Sequence, residues 1–238
     1  MSNQYNHHVS PALVQAIDLF SGLDTAVLES LAGKMQLKRF NKKDTVLSRN
    51  EMDRGVYFIA TGSVRVTSFS SSGKETSYHD KGAGEMFGEL SAIDGQPRAA
   101  DIVVTADASL LYLSHQQFNE LVQSSPEVNQ RLIKGLIGEV RSLTQRVYEF
   151  SALSVRYRIY AEVARIAQRA TDAHGAADGP IELHEFPTHA ELATRVTTTR
   201  EAVTREISRL AEMELVVKSD DLLIIPSLAR LLAILPDK

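Results

Sequence analysis

An apolar repeat between residues 129 and 150 constrains this chain more than any other feature. Its members, apolar except for the first, step in turn by four and three residues: Asn129, Ile133, Leu136, Val140, Leu143, Val147 and Phe150. Such a heptad draws one apolar stripe along a helix, the pattern of a two-stranded coiled coil. We therefore expect a long helix that forms a homodimer, with a long helix packed on its own domain as the alternative. The expected interface residues are Ile133, Leu136, Val140, Leu143 and Val147.

The region before this helix, from about Lys38 to Leu113, consists of short runs of β-branched and aromatic residues. Glycines separate these runs: Gly55, Gly62, Gly73, Gly82, Gly84 and Gly95. Many short strands at regular turn spacing predict an antiparallel roll or barrel. A short amphipathic helix is predicted ahead of them, with Ser10 as its cap and Pro11 at its first position.

Two short helical patterns with a threonine-rich turn between them follow the long helix. Thr188 is expected to cap the first, about Ala190 to Val196, because Glu191 completes a capping box with it. Thr199 is expected to cap the second, Arg200 to Met213. Two short helices joined by a tight turn predict a helix-turn-helix. The segment "LVVKSDDLLII" predicts a β-hairpin, the wing of a winged helix.

These patterns indicate an α+β chain with three parts. Residues 1–125 form the roll, residues 126–153 form the dimerisation helix and a hinge, and residues 154–238 form the winged helix-turn-helix. The formal net charge is only −4 over 238 residues, so DNA contact has to come from a local cluster of charge.

The best candidate for such a cluster is the exposed start of the second short helix. Arginine suits guanine's two major-groove acceptors and glutamate suits cytosine's amine, and this helix carries Arg200, Glu201 and Arg205. The alternative is an ordinary solvated face with a Glu–Arg pair. Acidic residues nearly balance the basic ones in this region, which weighs against DNA binding.

Other functional classes have little support in the composition. The chain has no cysteine, which excludes disulfides, thiolate zinc sites and cysteine-ligated iron–sulfur clusters. Its seven histidines show no metal-binding or catalytic spacing, so we expect neither a metal site nor an enzyme. The first residues do not read as a signal peptide and no stretch is apolar for the length of a membrane span, so we expect a cytoplasmic protein without membrane contact.

The run "FGELSAIDGQPRAAD", Phe87 to Asp101, brings a carboxylate and an arginine together with glycines. One alternative is a folded turn that needs Glu89 and Arg98 only as a structural pair. A bound anion that also carries a hydroxyl group makes fuller use of them. Glycines such as Gly88 let the backbone approach a ligand closely.

With this run, the heptad helix and the helix-turn-helix in this order, the chain resembles the cAMP receptor protein (CRP/FNR) family of bacterial transcription regulators over essentially its whole length. "FGELSAIDGQPRAAD" looks like the family's phosphate-binding cassette, and "TTREAVTREISRL" looks like its recognition helix. The resemblance implies a cyclic-nucleotide-binding β-roll of the jelly-roll type, a dimerisation helix and a winged helix-turn-helix. It implies double-stranded DNA, a second copy of the chain and RNA polymerase as partners.

The resemblance also implies how a cyclic nucleotide is held. Glu89 accepts the ribose 2′-hydroxyl, and the guanidinium of Arg98 pairs with the cyclic phosphate. Ala99 stands where the enteric receptor has serine; since cAMP-selective kinase cassettes have alanine there, we expect cAMP, with cGMP as an alternative. A haem-based gas sensor that uses His79 is a second alternative. The ligand contacts expected are Gly88, Glu89, Leu90, Arg98, Ala99 and Thr144.

On the DNA side, the resemblance implies palindromic sites with TGTGA-like halves. Arginines are expected to read guanine and Glu201 cytosine, while threonines of the turn contact phosphates. The nucleotide is expected to reorient the DNA-binding heads through the helix seam or the Phe150–Ser154 hinge. The DNA contacts expected are Thr188, Thr198, Thr199, Arg200, Glu201 and Arg205.

Overall fold

The structure, a computed structural model, describes residues 9–70, 75–174, 179–184, 186–219 and 222–236 of the chain. It divides into two compact units, residues 1–140 and residues 141–238. The division falls inside the long helix, whereas the sequence analysis placed a domain boundary after residue 153. The tip of the predicted wing, residues 220–221, lies outside the described residues.

The first unit begins with short helices. Ser10 caps the first of them as predicted, because its Oγ accepts a hydrogen bond from the Leu13 N–H at 3.4 Å. A 3₁₀ turn, Asp18–Phe20, follows this helix. The helices are α1 (Pro11–Gln15) and α2 (Thr25–Lys34), of which α2 was not predicted.

The predicted antiparallel roll is confirmed. Its sheet has the order β1-β6-β3-β4, with β2 paired to β6 and β5 paired to β3, and each of these pairs is antiparallel. The strands are β1 (Gln36–Phe40), β2 (Thr45–Leu47), β3 (Val56–Phe69), β4 (Glu75–Gly82), β5 (Met86–Phe87) and β6 (Asp101–Leu113).

Strand β3 separates two apolar cores because successive side chains of a strand point to opposite faces. Val56 and Phe58 belong to a core shared with the helices of this unit. Tyr57 and Ile59 belong to a second core that contains Phe87 and lies among the strands. The ring of Tyr57 stacks on that of Phe87 with centroids 5.3 Å apart. The two cores together hold the cassette that follows β5.

Three helices complete this part of the chain. The heptad region forms one continuous helix of 27 residues, as its spacing predicts. Near its start Val128 and Leu132 are buried in the core of the first unit. The helices are α3 (Glu89–Asp94), α4 (His115–Ser124) and α5 (Pro126–Ala152).

The second unit contains the predicted helix-turn-helix. Thr188 and Thr199 cap its helices, and Glu191 completes the capping box. Thr197 in the turn has a φ of 52°, a left-handed conformation that is strained for a β-branched residue. A sheet of order β7-β9-β8 adjoins it. The elements are α6 (Val155–His174), β7 (Ile181–Leu183), α7 (His189–Arg195), α8 (Arg200–Glu212), β8 (Val217–Ser219), β9 (Leu222–Ile225) and α9 (Leu228–Ala233).

Candidate functional site

The cassette places Gly88 at the turn between β5 and α3. Its φ of 88° lies in the left-handed region, which favours glycine. A Cβ here would stand 2.7 Å from Nη1 of Arg98 and 2.8 Å from the carbonyl oxygen of Gly55. Only glycine therefore lets these three groups meet.

Arg98 is buried at this meeting point and is held from several sides. Its Nη1 donates to the Gly88 carbonyl at 2.8 Å, and its Nη2 donates to the Gly55 carbonyl at 2.6 Å. Nη2 also pairs with the carboxylate of Asp53 at 3.0 Å. The buried Nε–H has no hydrogen-bond acceptor among the described residues. A buried donor without a partner is costly, so this group suits an acceptor supplied by a ligand.

Glu89 opens helix α3 and is only 4% exposed. Its Oε2 is buried and has no hydrogen-bond partner within the described ranges. Burial raises the pKa of Glu89 above its usual 4.5, and the nearby Glu139 raises it further, although Lys81 and Arg98 act in the opposite direction. Since Arg98 takes Asp53 as its carboxylate partner, the structural Glu–Arg pair considered for this turn is not what the structure contains.

A cleft of about 220 Å³ opens beside Glu89. Lys81 of β4 and Glu139 of α5 form an ion pair in it. Gly135 of α5 also lines the cleft, and a Cβ there would meet nothing within 4 Å, so this wall is open. The lining residues are Asp18, Leu19, Lys81, Gly84, Glu85, Met86, Glu89, Arg131, Gly135, Leu136 and Glu139.

Sequence reasoning missed Asp53, Gly55, Lys81 and Glu139. In the sequence Lys81 is only a single lysine in a short strand. The residues around Asp53 and Glu139 form no recognisable motif, unlike those of the cassette. Each of the two carboxylates reaches the site from an element distant in sequence, by 45 residues from Arg98 and 58 residues from Lys81.

The other predicted ligand contacts are exposed or lie outside the first unit. Leu90 is 46% exposed and Ala99 is exposed. Thr144 falls in the second unit, so its role stays a prediction. His79, the residue of the haem alternative, has its Nε2 3.9 Å from the Glu139 carboxylate. Among the described residues no group of three metal-ligating side chains occurs, and no helix is long and apolar enough to cross a membrane.

The predicted dimer stripe is largely exposed on helix α5. Val140 is 63% exposed and Val147 is 66% exposed, and Ile133 and Leu143 are also exposed. Leu136 differs, because it packs in part against the core of its own unit. Ile137, which the heptad reading left out, is exposed instead.

The start of helix α8 presents the predicted DNA contacts to solvent. Thr199, Arg200, Glu201 and Arg205 are exposed, and Thr198 of the turn is half-buried. The backbone N–H of Glu201 and the Thr199 hydroxyl lower the pKa of the Glu201 carboxyl, which therefore stays a hydrogen-bond acceptor.

Two side chains flank this surface that sequence reasoning did not name as contacts. His189 Nδ1 and Thr204 Oγ1 lie 2.8 Å apart. Lys218 of the wing donates to the Ser208 hydroxyl at 3.3 Å. The wing thus places a cation beside α8.

The balance of charge around α8 changes once burial is taken into account. Glu206 is buried, where it accepts hydrogen bonds from Tyr160 at 3.1 Å and Arg156 at 3.2 Å. Glu191 is engaged in the capping box at Thr188. Of the acids that weighed against DNA binding, Glu206 is therefore buried inside the unit and Glu191 is held by the capping box.

Comparisons with known proteins agree with both halves of this description. Residues 37–125 match the family model of the cyclic nucleotide-binding domain, and residues 162–234 match that of the Crp-like helix-turn-helix domain. The chain is 23% identical over 193 residues to a CRP-like cAMP-activated global transcriptional regulator of Mycobacterium tuberculosis, which covers 81% of this chain and 85% of the relative.

It is also 26% identical over 191 residues to the cAMP-activated global transcriptional regulator CRP of Haemophilus influenzae, which covers 80% of this chain and 84% of the relative. Among solved structures, the c-di-GMP responsive global regulator CLP of Xanthomonas campestris superimposes with a TM-score of 0.70 at 18% identity, covering 86% of this chain and 100% of that one. The last likeness establishes the fold alone.

Proposed function

We propose, from the premise that this chain belongs to the cAMP receptor protein (CRP/FNR) family of cyclic-nucleotide-binding transcription regulators, that a cyclic nucleotide bound in its β-roll controls how tightly its helix-turn-helix binds DNA. It acts by binding, without catalysis and without a metal. Its partners are DNA, a second copy of itself and RNA polymerase.

One observation carries the ligand half of this proposal. The cassette buries one acceptor, Oε2 of Glu89, and one donor, Nε–H of Arg98, and neither has a partner among the described residues. A cyclic nucleotide supplies the complement of both, since its ribose hydroxyl donates and its phosphate oxygens accept. Binding therefore satisfies two groups whose burial is otherwise costly.

We propose cAMP as the ligand. Ala99 supports it by resemblance to cAMP-selective cassettes, and the two relatives compared above are described as cAMP-activated. Calorimetric titration of the purified protein with cAMP, cGMP and c-di-GMP tests this, with the tightest binding expected for cAMP. Tighter binding of cGMP would show that Ala99 does not decide the base. A haem absorption band in the purified protein would favour the gas-sensor alternative.

We propose a homodimer through the exposed stripe of helix α5. Val140→Asp should give monomers, because it places a charge in an apolar interface. Ser142→Asp is the matched control: it is exposed on the same helix, and residues two apart point to nearly opposite sides of a helix. Sedimentation at micromolar concentration measures both. A wild-type monomer would contradict the proposal.

A two-fold dimer presents two α8 helices to successive major grooves, so the DNA site should be a palindrome with half-sites about one helical turn apart. Arg205→Ala should cost roughly 1–3 kcal/mol per half-site and relax preference at one guanine. Arg209→Ala, an exposed arginine one turn further along α8, is the control and should leave preference unchanged. Selection of bound DNA from a random pool, repeated with both variants, reads out the change.

Control of DNA binding by the nucleotide requires that each ligand changes the affinity for the other by the same factor. The cAMP titration is therefore repeated in the presence of the selected DNA site. Tighter binding of cAMP is expected with the site present. Equal affinity with and without it would contradict regulation by this ligand.

A further inference from the structure

The cleft beside Glu89 contains a cation, Lys81, that is not among the expected ligand contacts. Lys81 lies on strand β4, and its side chain is only 8% exposed. Its ammonium pairs with Glu139, which comes from helix α5. A lysine this deeply buried needs a counter-charge, because an unpaired buried cation is strongly unfavourable.

Two cations beside the cassette are already paired with carboxylates. Arg98 is already neutralised by Asp53, and its two terminal nitrogens are engaged by the Gly55 and Gly88 carbonyls. Lys81 is neutralised by Glu139. Opening either pair frees a buried cation that matches the negative charge of a phosphate.

Position in the cleft decides between the two pairs. Lys81, Glu139 and Glu89 line the same cleft, whereas Asp53 does not. The ribose hydroxyl and the phosphate of a cyclic nucleotide sit on one sugar ring. A ligand anchored through its hydroxyl at Glu89 therefore brings its phosphate into the cleft that holds the Lys81 ammonium.

We propose that Lys81 is a second cationic contact for the phosphate of the bound cyclic nucleotide, and that Glu139 occupies its ammonium until the ligand displaces it. This rests on the proposed function, which it deepens by one contact and one competitor. Since Glu139 belongs to α5, the exchange also releases a link between the roll and the long helix. Ligand binding thereby changes a contact of the dimerisation helix directly.

Titration of the full-length protein with cAMP tests the exchange. Glu139→Gln removes the competing charge while keeping the shape of the side chain, so affinity should rise about tenfold, the equivalent of roughly 1.4 kcal/mol. Lys81→Met keeps the apolar stem and removes the cation, so affinity should fall about tenfold or more. In the double variant the gain from Glu139→Gln should disappear, because the cation for which Glu139 competes is absent.

One control and one competing variant accompany these changes. The control, Glu120→Gln, removes the same charge from an exposed position on α4 and should leave affinity unchanged. Asp53→Asn opens the other ion pair, Arg98 with Asp53, and the exchange at Lys81 predicts that it raises affinity less than Glu139→Gln does. Circular dichroism of each variant verifies folding, and Glu139→Gln decides the question even if Lys81→Met fails to fold.

Affinity that is unchanged or weaker in Glu139→Gln overturns the proposal. So does a gain in Asp53→Asn in place of Glu139→Gln, because the Arg98 pair is then the one that opens. Both results leave cAMP binding by the wild-type protein, and hence the proposed function, intact. A wild-type protein that binds no cyclic nucleotide overturns the proposed function itself.

Discussion

Glu89 of the first unit and Glu162 of the second are buried to the same extent, and their surroundings differ. Glu89 and Glu162 are both 4% exposed. Glu162 is contacted by Arg165, by Arg146 at 3.3 Å and by Arg195 at 3.5 Å. Oε2 of Glu89 has no hydrogen-bond partner among the described residues.

The pKa values of the two carboxyl groups are consequently shifted in opposite directions. Burial alone would raise the pKa of Glu162, but the charges of Arg165, Arg146 and Arg195 outweigh it and hold the pKa below its usual 4.5. Burial raises the pKa of Glu89 above the same value. A buried charge that the protein satisfies itself serves the fold, whereas one that it leaves unsatisfied is suited to a ligand.

The satisfied network has a mechanical consequence within the second unit. Arg165 of α6 pairs with Glu149 of α5 at 2.7 Å, and Arg146 of α5 donates to the Arg195 carbonyl at the end of α7 at 2.7 Å. These contacts join residues on both sides of the segment Phe150–Ser154. They oppose bending at the hinge that the sequence analysis placed there.

The largest effect is expected from Glu162→Ala, which should lower the stability of the second unit. Removing the carboxylate leaves Arg146, Arg165 and Arg195 without their shared partner, and breaking a buried ion pair costs about 3–5 kcal/mol. Calorimetry should show the unfolding transition of the second unit at a clearly lower temperature, while cAMP affinity stays unchanged. Glu182→Ala, at an exposed position of the same unit, is the control and should change stability by less than about 0.5 kcal/mol.

Arg98→Leu is expected to have the next largest effect, on ligand binding. It removes the donor that meets the phosphate, and truncating one partner of a buried charge pair costs about 2–5 kcal/mol, so cAMP affinity should fall about 30-fold or more. Arg49→Leu, at an exposed arginine of the same unit, should bind as the wild type does. Unchanged affinity in a folded Arg98→Leu protein would remove the cassette assignment.

Glu89→Gln should weaken cAMP binding by about tenfold, less than Arg98→Leu, because glutamine keeps one acceptor oxygen but loses the charge. Unlike the change at Glu162, it should not lower stability, since burial already disfavours the ionised form of Glu89. Titration and calorimetry on one preparation measure both. A loss of stability comparable to that of Glu162→Ala would show that Glu89 is satisfied within the fold.

The smallest effect is a several-fold dependence of cAMP affinity on pH. A ligand hydroxyl donates better to a carboxylate than to a carboxylic acid, and the pKa of Glu89 lies above 4.5. Affinity should therefore fall as pH is lowered through that raised pKa, and Glu89→Gln should lose this dependence. Titrations over a series of pH values between neutrality and 4.5 measure it, and a flat profile in the wild-type protein would contradict the role of Glu89.

Stability should respond to pH differently in the two units. The folded protein keeps the Glu89 proton to higher pH than the unfolded chain does, so the contribution of Glu89 to stability decreases as pH rises above 4.5. The contribution of Glu162 is present above 4.5 and is lost only as pH falls through its lowered pKa. Calorimetry at the same pH values should show that titration of Glu162 does not change the stability of the second unit above pH 4.5.

The sequence by itself determined the features that depend on neighbours along the chain. The heptad predicted helix α5, and the caps at Ser10, Thr188 and Thr199 are present as predicted. The glycine and the two charged residues of the cassette were also identified. Helix periods and caps arise from contacts within about four residues, which is why a linear pattern reveals them.

Only the tertiary structure decided which charges are satisfied. Asp53 reaches Arg98 across 45 residues, and Glu139 reaches Lys81 across 58. Glu206 is buried and so is not part of the surface around α8. Leu136 packs in part against the core of its own unit, whereas Ile137 is exposed. Whether a carboxylate is paired or left unsatisfied depends on which distant groups the fold brings within about 4 Å of it, and no local pattern in the chain records that distance.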